Sequence, residues 1–435
     1  MSDQTSKTDL KVQSLSQALK LIAAGDCTAE DLINAYYDQI EAREMEVGAW
    51  QFLLSREEYL QKYQQQKAFY QASVLKGLPI GIKDIIDTCC MPTEMGSPIH
   101  QGRQPVDNAS CVNLLMQAGG IVLGKTVTTE FAYFKPGKTR NPKDLDRTPG
   151  GSSSGSAAAV ADFMVPVAVG SQTAASVIRP AAYCGVVGYV GSRGEYSLRG
   201  AQPLAQSLDS LGLFARRVDD IELLRSILLL QPLKPSVKPD RPYRILVCQG
   251  SAVGESDSAM NLAMQQFSDR LQQEGAEMVE MHSCDLMRRL VEHHRNIMAW
   301  EVVRNLSYEA EHPEQVSAAL LQLFEQGREM TRESYLESLE AVAKIGRWLW
   351  SNPDHLGIDA ILAPAAPGVA PMGHEATGQP HMSRPWQVLG LPVVTLPGIT
   401  DEQGLPLGLQ LIGRAREDDQ LLALSRWAEG YLVSK

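Results

Sequence analysis

Two serine-bearing segments contain the residues best suited to nucleophilic chemistry. The segment 148–161, TPGGSSSGSAAAVA, puts consecutive serines between a glycine pair and an apolar run. These serines are Ser152, Ser153 and Ser154. The segment 170–185, GSQTAASVIRPAAYCG, puts Ser176 directly after two alanines. Small residues there let backbone N–H groups approach a ligand, as an oxyanion hole beside a nucleophile requires.

Lys83 is the candidate base for such a serine, because it ends the apolar run GLPIGIK at 77–83. A serine hydroxyl becomes a good nucleophile when a base removes its proton, and a lysine can do so only in its neutral form. Lowering the pKa of a lysine from about 10.4 to 7 corresponds to about 4.6 kcal/mol, which is within the range that burial produces. The competing interpretation is a surface lysine whose stem lies along the protein.

Other interpretations of the serine segments fit the sequence less well. A flexible linker would not continue directly into a helix-forming run (SAAAVA) and a strand-like run (VPVAVG at 165–170). A phosphate-binding loop would have a GK[ST] ending or GxGxxG spacing, and the segment 148–161 has neither. A serine–histidine–aspartate hydrolase would place its nucleophile in GxSxG, where neither Ser152 nor Ser176 lies.

The surrounding pattern predicts an α/β protein in which helices and strands position these residues. The first seventy residues have helical periodicity, with capping-box spacing of Thr28 to Asp31 and of Ser55 to Glu58. From residue 76, short apolar runs alternate with helical ones, which is typical of an α/β sheet. We predict one domain over 1–435, composed of N-terminal helices (1–75), a core (76–215), a helical insertion (about 257–350) and C-terminal strands with a helix (359–435).

Composition places the 435-residue chain among ordinary globular proteins, since 44% of residues are hydrophobic and 21% are charged. The formal net charge of −11 has the wrong sign for a protein that neutralises many phosphates. The N-terminus lacks the pattern of a secretory signal, and no apolar run has membrane-spanning length, so we expect a cytoplasmic protein. Scattered cysteines without CxxC and histidines without HExxH predict no metal site.

Taken together, these segments resemble the amidase signature family. The likeness rests on GIKD, GGSSSGSAAAVA and the segment that contains Ser176, and it extends over nearly the whole chain. Further family-like segments are TRNP at 139–142, PAAYCGVVG at 180–188, DAILAP at 359–364 and GLPLGLQLIG at 404–413. The resemblance implies an amidase signature fold, with a mixed central β-sheet sandwiched between α-helical layers. It also implies hydrolysis of a carboxamide without a cofactor.

The resemblance assigns a role to each candidate residue. Ser176 matches the family's nucleophile and Lys83 its base. The family's separation between bridging serine and nucleophile selects Ser152, and the family implies a cis peptide bond before that serine. The expected proton path runs from Ser176 through Ser152 to Lys83. The predicted oxyanion hole consists of the backbone N–H groups of Thr173, Ala174, Ala175 and Ser176.

The segment 170–185 also contains a candidate substrate-binding arginine and departs from the family pattern at three positions. Arg179, in SVIRP, is similar to the arginine with which malonamidase-like members bind a substrate carboxylate, which predicts a bidentate contact. A salt bridge that anchors the loop is the alternative. Many relatives have DTGGS where this chain has QTAAS, so Gln172 replaces a carboxylate, and Ala174 and Ala175 replace glycines. Alanine would add strain if either position required a positive φ.

Three functions compete. The first is a free-standing amidase that acts on a small linear amide, and the second is the glutaminase-type subunit of a tRNA-dependent amidotransferase. Such subunits usually have arginine two residues after the nucleophile, where this chain has Ile178. The third, a non-catalytic scaffold, conflicts with the presence of all three triad residues.

The expected partners follow from these functions. We expect a small-molecule amide as substrate and no cofactor, metal or membrane. Nucleic acid enters only through the amidotransferase alternative. A homodimer or a complex with a small accessory subunit is compatible with the sequence.

Overall fold

The computed structural model describes residues 9–234, 239–282 and 284–432, and its strands come from both halves of the chain. In chain order the described strands are Trp50–Leu53 (β1), Pro79–Lys83 (β2), Ile121–Thr126 (β3), Val167–Gln172 (β4), Val187–Val190 (β5), Ser210–Ala215 (β6), Arg244–Val247 (β7), Glu277–Glu280 (β8), Ala360–Pro364 (β9), Val393–Leu396 (β10) and Leu409–Ile412 (β11).

These strands form one mixed sheet in the order β1-β3-β2-β4-β6-β5-β10-β11-β9-β7-β8. The strands β3, β2 and β4 are parallel neighbours, and so are β9, β7 and β8. All the other neighbouring pairs, including β4 with β6 and β5 with β10, are antiparallel. The sheet therefore has a parallel block near each edge and an antiparallel centre.

Helices surround this sheet. Within the described residues they are Leu15–Ala24 (α1), Ala29–Val47 (α2), Arg56–Gln65 (α3), Lys67–Ala72 (α4), Ser110–Gln117 (α5), Ser154–Ala161 (α6), Ile178–Cys184 (α7), Val218–Leu228 (α8), Gly250–Val253 (α9), Ser258–Gln273 (α10), Cys284–Asn305 (α11), Ala318–Glu329 (α12), Arg332–Ser351 (α13), Arg384–Leu389 (α14) and Asp418–Glu429 (α15). Short 3₁₀ helices lie at Leu10–Val12, Pro98–His100, Glu130–Ala132, Glu309–Glu311, Pro313–Gln315 and Pro353–His355. No helix among the described residues is long and apolar enough to cross a bilayer.

The capping boxes predicted from sequence are present. The Thr28 hydroxyl accepts from the Asp31 N–H at the start of α2, and the Ser55 hydroxyl accepts from the Glu58 N–H at the start of α3. In each case the acidic side chain accepts in return from the backbone N–H of the capping residue. Each box satisfies donors that an α-helix leaves free at its first turn.

Burial of the strands shows that helices cover both sheet faces. Every residue of β2, β3, β4 and β6 is buried, so side chains on both faces of these strands are shielded from water. Of the described strands, only β1 and β8 at the sheet edges include exposed positions. The predicted fold, a mixed sheet between helical layers, is confirmed. The division of the chain into a single domain stays a prediction.

The structure also contains strands that the sequence analysis did not predict. β1 lies inside the region expected to be helical at the N-terminus, and β8 lies inside the insertion expected to be helical at about 257–350. Both are four-residue edge strands, too short to give a clear periodic signal. β5 and β6 also went unrecognised, because the glycines within them obscure the strand pattern.

One feature of the sheet positions the chemistry. β2 and β4 are parallel neighbours, with Ile82 opposite Val169, so their carboxyl ends lie at the same sheet edge. Lys83 is the last residue of β2, and Ser171 is the last but one of β4. The loop 173–177 then leads directly from β4 into α7.

Candidate active site

Lys83 is completely buried at the end of β2. Its Nζ donates to Ser152 Oγ at 2.6 Å, to Ser171 Oγ at 2.9 Å and to the Ser171 carbonyl at 3.4 Å. Burial lowers the pKa of Lys83 to about 7, although the negative charge of Asp209 acts in the opposite direction. A lysine with such a pKa is neutral in a large fraction of molecules near neutral pH, so it can act as a base.

Ser152 stands between a glycine pair and α6. The peptide bond from Gly151 to Ser152 is cis, as the family resemblance implies. Gly150 has φ +80°, and a Cβ on it would lie 2.9 Å from the Cα of Pro180. Glycine is therefore required there, both by the backbone conformation and by the close approach of α7.

Ser176 lies in the loop between β4 and α7 and is 6% exposed. Its carbonyl oxygen accepts from the Ser153 N–H at 3.2 Å, which links the two serine segments. Ser152 and Ser176 line the same cavity, but within the described chain no hydrogen bond joins their hydroxyls. Catalytic hydrogen bonds between such groups often tighten when the substrate binds.

The loop around Ser176 leaves backbone donors free. Among the described hydrogen bonds, none is donated by the N–H groups of residues 173–176. The next two N–H groups, of Val177 and Ile178, both donate to Gln172 Oε1, at 2.9 and 3.1 Å. Four unpartnered N–H groups beside a serine hydroxyl are what an oxyanion hole requires.

Gln172 occupies the position at which many relatives have a carboxylate, and its contacts explain how the loop holds its shape. Its amide oxygen takes the two N–H groups that a carboxylate could accept, and its Nε2 donates to Gln387 Oε1 at 2.9 Å. Ala174 and Ala175 are not among the described residues with positive φ. The two alanines therefore add no backbone strain to this loop.

Thr173 is held from two sides. Its hydroxyl donates to Asp209 Oδ1 at 2.5 Å, and its carbonyl oxygen lies 2.7 Å from His294 Nε2. Burial raises the pKa of Asp209 to about 7, while hydrogen bonds from Thr173 and from the backbone of residues 204 and 205 oppose this shift. Burial lowers the pKa of His294 well below its usual value, so the ring is neutral and its Nε2 carries the proton donated to Thr173.

A small cavity lies above these residues. Apolar walls come from Tyr133, Phe134, Leu204, Met298 and Pro380. Two arginines, Arg179 and Arg384, also line it. The described lining contains no aspartate or glutamate, so the cavity has cationic and apolar walls.

Arg179 makes several contacts to the protein. Its Nη2 donates to the Gly151 carbonyl at 2.7 Å and to Thr377 Oγ1 at 2.9 Å, and its Nη1 donates to the Gly378 carbonyl. Its Nε is buried and has no hydrogen-bond partner among the described residues. Burial lowers the pKa of Arg179 to about 10, so it remains a cation at neutral pH. No described carboxylate forms the salt bridge that was the alternative to substrate binding.

The chain is similar to known proteins over most of its length. A sequence profile of the family named Amidase matches residues 31–422. The chain belongs to the amidase family. This amidase is therefore an enzyme that hydrolyses C–N bonds of amides, and the family predicted from its motifs is confirmed.

Proteins similar to this amidase include both amidases and subunits of glutamyl-tRNA(Gln) amidotransferases. A glutamyl-tRNA(Gln) amidotransferase subunit from Picosynechococcus sp. is 32% identical to it, over 93% of this chain and 95% of the relative. A solved structure of an amidase superimposes with a TM-score of 0.86 and 26% identity, covering 97% of this chain and 100% of that one. The corresponding glutamyl-tRNA(Gln) amidotransferase subunit from Thermotoga maritima gives 0.79 and 25% identity, covering 97% and 95%.

Several residues around the site of this amidase were missed by the sequence analysis. His294 was grouped with histidines that form no metal motif, and Asp209 and Arg384 were not singled out. Each comes from a segment far along the chain from Ser176, on α11, before β6 and on α14. Only Arg384 has a local signal, since it is the one charged residue in the mostly apolar run RPWQVLGLPVV at 384–394.

Proposed function

We propose that this amidase cleaves a small linear carboxamide through an acyl-enzyme on Ser176, with Ser152 and Lys83 moving the proton. The observation that carries this proposal is the 2.6 Å hydrogen bond from Lys83 Nζ to Ser152 Oγ at a fully buried site. A buried lysine that contacts no carboxylate of the described residues has no evident structural purpose, and it is suited to act as a base.

The proposed first half-reaction moves one proton along the relay. Ser176 Oγ attacks the amide carbon and gives its proton to Ser152 Oγ, while Ser152 gives its own proton to Lys83 Nζ. The carbonyl oxygen becomes an oxyanion, which the free N–H groups of residues 173–176 stabilise. Lys83 then returns the proton through Ser152 to the leaving nitrogen, the C–N bond breaks, and ammonia or an amine departs.

The second half-reaction uses the same groups. Water attacks the acyl carbon of the ester on Ser176, and the relay takes a proton from that water. A second oxyanion collapses, the bond from carbon to Ser176 Oγ breaks, and the relay returns the proton to Ser176. The net result is a carboxylic acid and a free amine, with no cofactor in the reaction.

This reaction fits either a free-standing amidase or the amidase subunit of an amidotransferase. The comparisons support the amidotransferase alternative better than the free-standing amidase, since a curated relative that matches nearly the whole chain is an amidotransferase subunit. In that setting the amide is glutamine, the released ammonia goes to a partner subunit, and tRNA is bound by the complex. Ile178, at the position where such subunits usually have arginine, favours the free-standing enzyme. We propose a cytoplasmic location in both cases.

The role predicted for Arg179 stays a prediction. Its contacts to Gly151, Thr377 and Gly378 support a part in fixing the peptide before Ser152 and the loop opposite it. Arg179 lies in the cavity wall, and its Nε and the remaining hydrogen of Nη1 have no partner among the described residues, so they are available to a ligand.

Labelling tests the chemistry of this proposal. Intact-mass measurement after treatment with a fluorophosphonate should show one adduct on the wild type and none on Ser176→Ala. Ser153→Ala is the matched control and should still be labelled. An adduct that persists in Ser176→Ala would refute the assignment of the nucleophile.

Measurement of ammonia release distinguishes a free-standing amidase from an amidotransferase subunit. The chain alone should release ammonia from short amides if it is free-standing. If it belongs to an amidotransferase, ammonia release from glutamine should be slow for the chain alone and should rise when the other subunits of an amidotransferase are co-expressed and co-purify with it. Rapid hydrolysis of simple amides by the isolated chain, with no response to glutamine, would exclude the amidotransferase alternative.

A further inference from the structure

Arg384 is a buried cation in the active-site cavity that the proposed mechanism does not use. It begins α14, is 4% exposed and lines the same cavity as Ser176. Among the described residues no carboxylate forms an ion pair with it, and the cations that act on it most are Arg295 and Arg179. A buried charge without a counter-ion destabilises a fold, so its presence calls for a function.

The hydrogen bonds of Arg384 leave one edge of its guanidinium group free. Nη1 donates to His294 Nδ1 at 3.0 Å, which fixes the plane of the group. Nε is buried without a partner, and Nη2 donates no hydrogen bond within the described chain. Nε and Nη2 lie on the same edge of a guanidinium group, and together they form the fork that matches the two oxygens of a carboxylate.

Arg179 differs from Arg384 in this respect. Both of its terminal nitrogens already donate to protein oxygens, so it offers a ligand only its Nε and the remaining hydrogen of Nη1. The described cavity lining contributes no negative charge that could neutralise either arginine. An anionic group that enters the cavity would therefore find its best two-point contact at Arg384.

We propose that Arg384 binds a carboxylate of the substrate through its Nε and Nη2 edge, and that the substrate is a short amide that carries a carboxylate. The inference rests on the proposed function, because the scissile amide and the carboxylate have to occupy the same cavity. The small size of the cavity favours a short chain between the two groups. The sequence predicted this contact at Arg179, and the structure points to a different residue.

Paired substrates test the proposal. The pairs are malonamate with malonamide and succinamate with succinamide, in which a carboxylate replaces a carboxamide of similar size. In Arg384→Gln, kcat/KM for the acids should fall at least about 30-fold, which is the lower end of the loss for truncating one partner of a buried charge pair. The value for the diamides should fall much less than the value for the acids. In Arg384→Lys, which keeps the charge, part of the activity on the acids should return.

A matched control and a contrary outcome complete the kinetic test. Arg295 is an exposed cation near Arg384, so Arg295→Gln should leave the ratio of acid to diamide within about threefold of the wild type. An equal fall for acids and diamides in Arg384→Gln would overturn the proposal. It would show instead that Arg384 acts on the loop through His294.

A binding measurement separates this inference from the proposed function. Malonate and succinate should raise the Tm of the wild type, and malonamide should raise it less. The effect of the acids should disappear in Arg384→Gln and persist in Arg295→Gln. If no amide is hydrolysed but the acids still stabilise the protein through Arg384, the proposed function fails and the inference stands. If amides are hydrolysed but the acids act equally on the wild type and on Arg384→Gln, the inference fails and the proposed function stands.

Discussion

His294 Nε2 donates a hydrogen bond to the carbonyl oxygen of Thr173, at a distance of 2.7 Å. This contact joins α11, which lies in the helical insertion, to the first residue of the predicted oxyanion hole. The peptide that follows Thr173 supplies the N–H of Ala174, and a peptide's carbonyl and N–H turn together because the unit is planar. The insertion therefore helps to orient a donor in the active site.

Replacement of His294 tests this contact. His294→Leu removes the donor to Thr173 and the acceptor for Arg384, so we expect kcat to fall about tenfold or more, as the loss of oxyanion-hole orientation predicts. KM for a neutral diamide should change less. His294→Gln can still donate and should retain part of the activity. His293→Leu, on the same helix but in contact with Ser338, is the control and should stay near the wild-type kcat.

The same histidine predicts a pH dependence of stability. Because burial holds the folded pKa of His294 well below its usual value, the unfolded chain binds a proton that the folded chain does not bind. This contribution to the free energy of unfolding is fully present above about pH 6.5 and decreases as the pH falls below that value. Urea unfolding of the wild type and of His294→Gln between pH 5 and 8 measures it. A slope that is unchanged in the variant would contradict the assignment.

Lys83 predicts the pH profile of the reaction. The base must be neutral, and burial sets the pKa of Lys83 at about 7, so kcat/KM should rise with pH and level off above about 8. Burial raises the pKa of Asp209 to about 7 as well, so Asp209 could produce the same rising limb of the plot of kcat/KM against pH. The two are separated by Asp209→Asn: removal of the negative charge that raises the pKa of Lys83 should move the limb to lower pH. Disappearance of the limb in that variant would assign it to Asp209.

The proton relay predicts non-additive losses. Lys83→Ala and Ser152→Ala should each remove most of the activity, on the order of a thousandfold or more, and the double variant should be little worse than the poorer single one. Ser154→Ala, whose hydroxyl donates to the Val127 carbonyl, should be much milder. Rates on an unactivated amide are the measurement. Multiplication of the two losses in the double variant would mean that the residues act separately.

Gln172 is expected to stabilise the loop between β4 and α7. Gln172→Leu leaves the N–H groups of Val177 and Ile178 without an acceptor in a buried environment, so the free energy of unfolding should fall by about 2–4 kcal/mol. Gln172→Glu keeps the acceptor, so its free energy of unfolding should fall by less. Urea unfolding measures both variants. Equal stability of the wild type and Gln172→Leu would show that water replaces the lost contact.

Some of the site could be predicted from sequence because its residues lie in short, characteristic segments. Lys83 ends an apolar strand, Ser152 follows a glycine pair, and Ser176 lies in a small-residue loop. The structure brings Lys83 into contact with Ser152 and places both serines on one cavity.

The surrounding residues could not be predicted in this way. Asp209, His294 and Arg384 take their roles from long-range contacts, and a buried histidine or aspartate has the same letter as an exposed one. Only the contacts of Arg384 in the folded protein show that the Nε and Nη2 edge of its guanidinium group has no partner among the described residues. Likewise, β5 and β6 are defined by pairing with each other and with distant strands rather than by their own pattern.

The order of strands in the sheet has a consequence for synthesis of the chain. Tyr189 of β5 pairs with Val394 of β10, so β5 remains an open sheet edge until nearly the whole protein has been made. At translation rates of about 5–20 residues per second, β10 follows β5 by about 10–40 s. During that interval β5 is paired with β6 on one side only, and the nascent chain exposes the other edge of this apolar strand, to which other chains could add. Successful expression of this amidase should therefore depend on elongation rate and chaperone supply more than the stability of the finished fold would suggest.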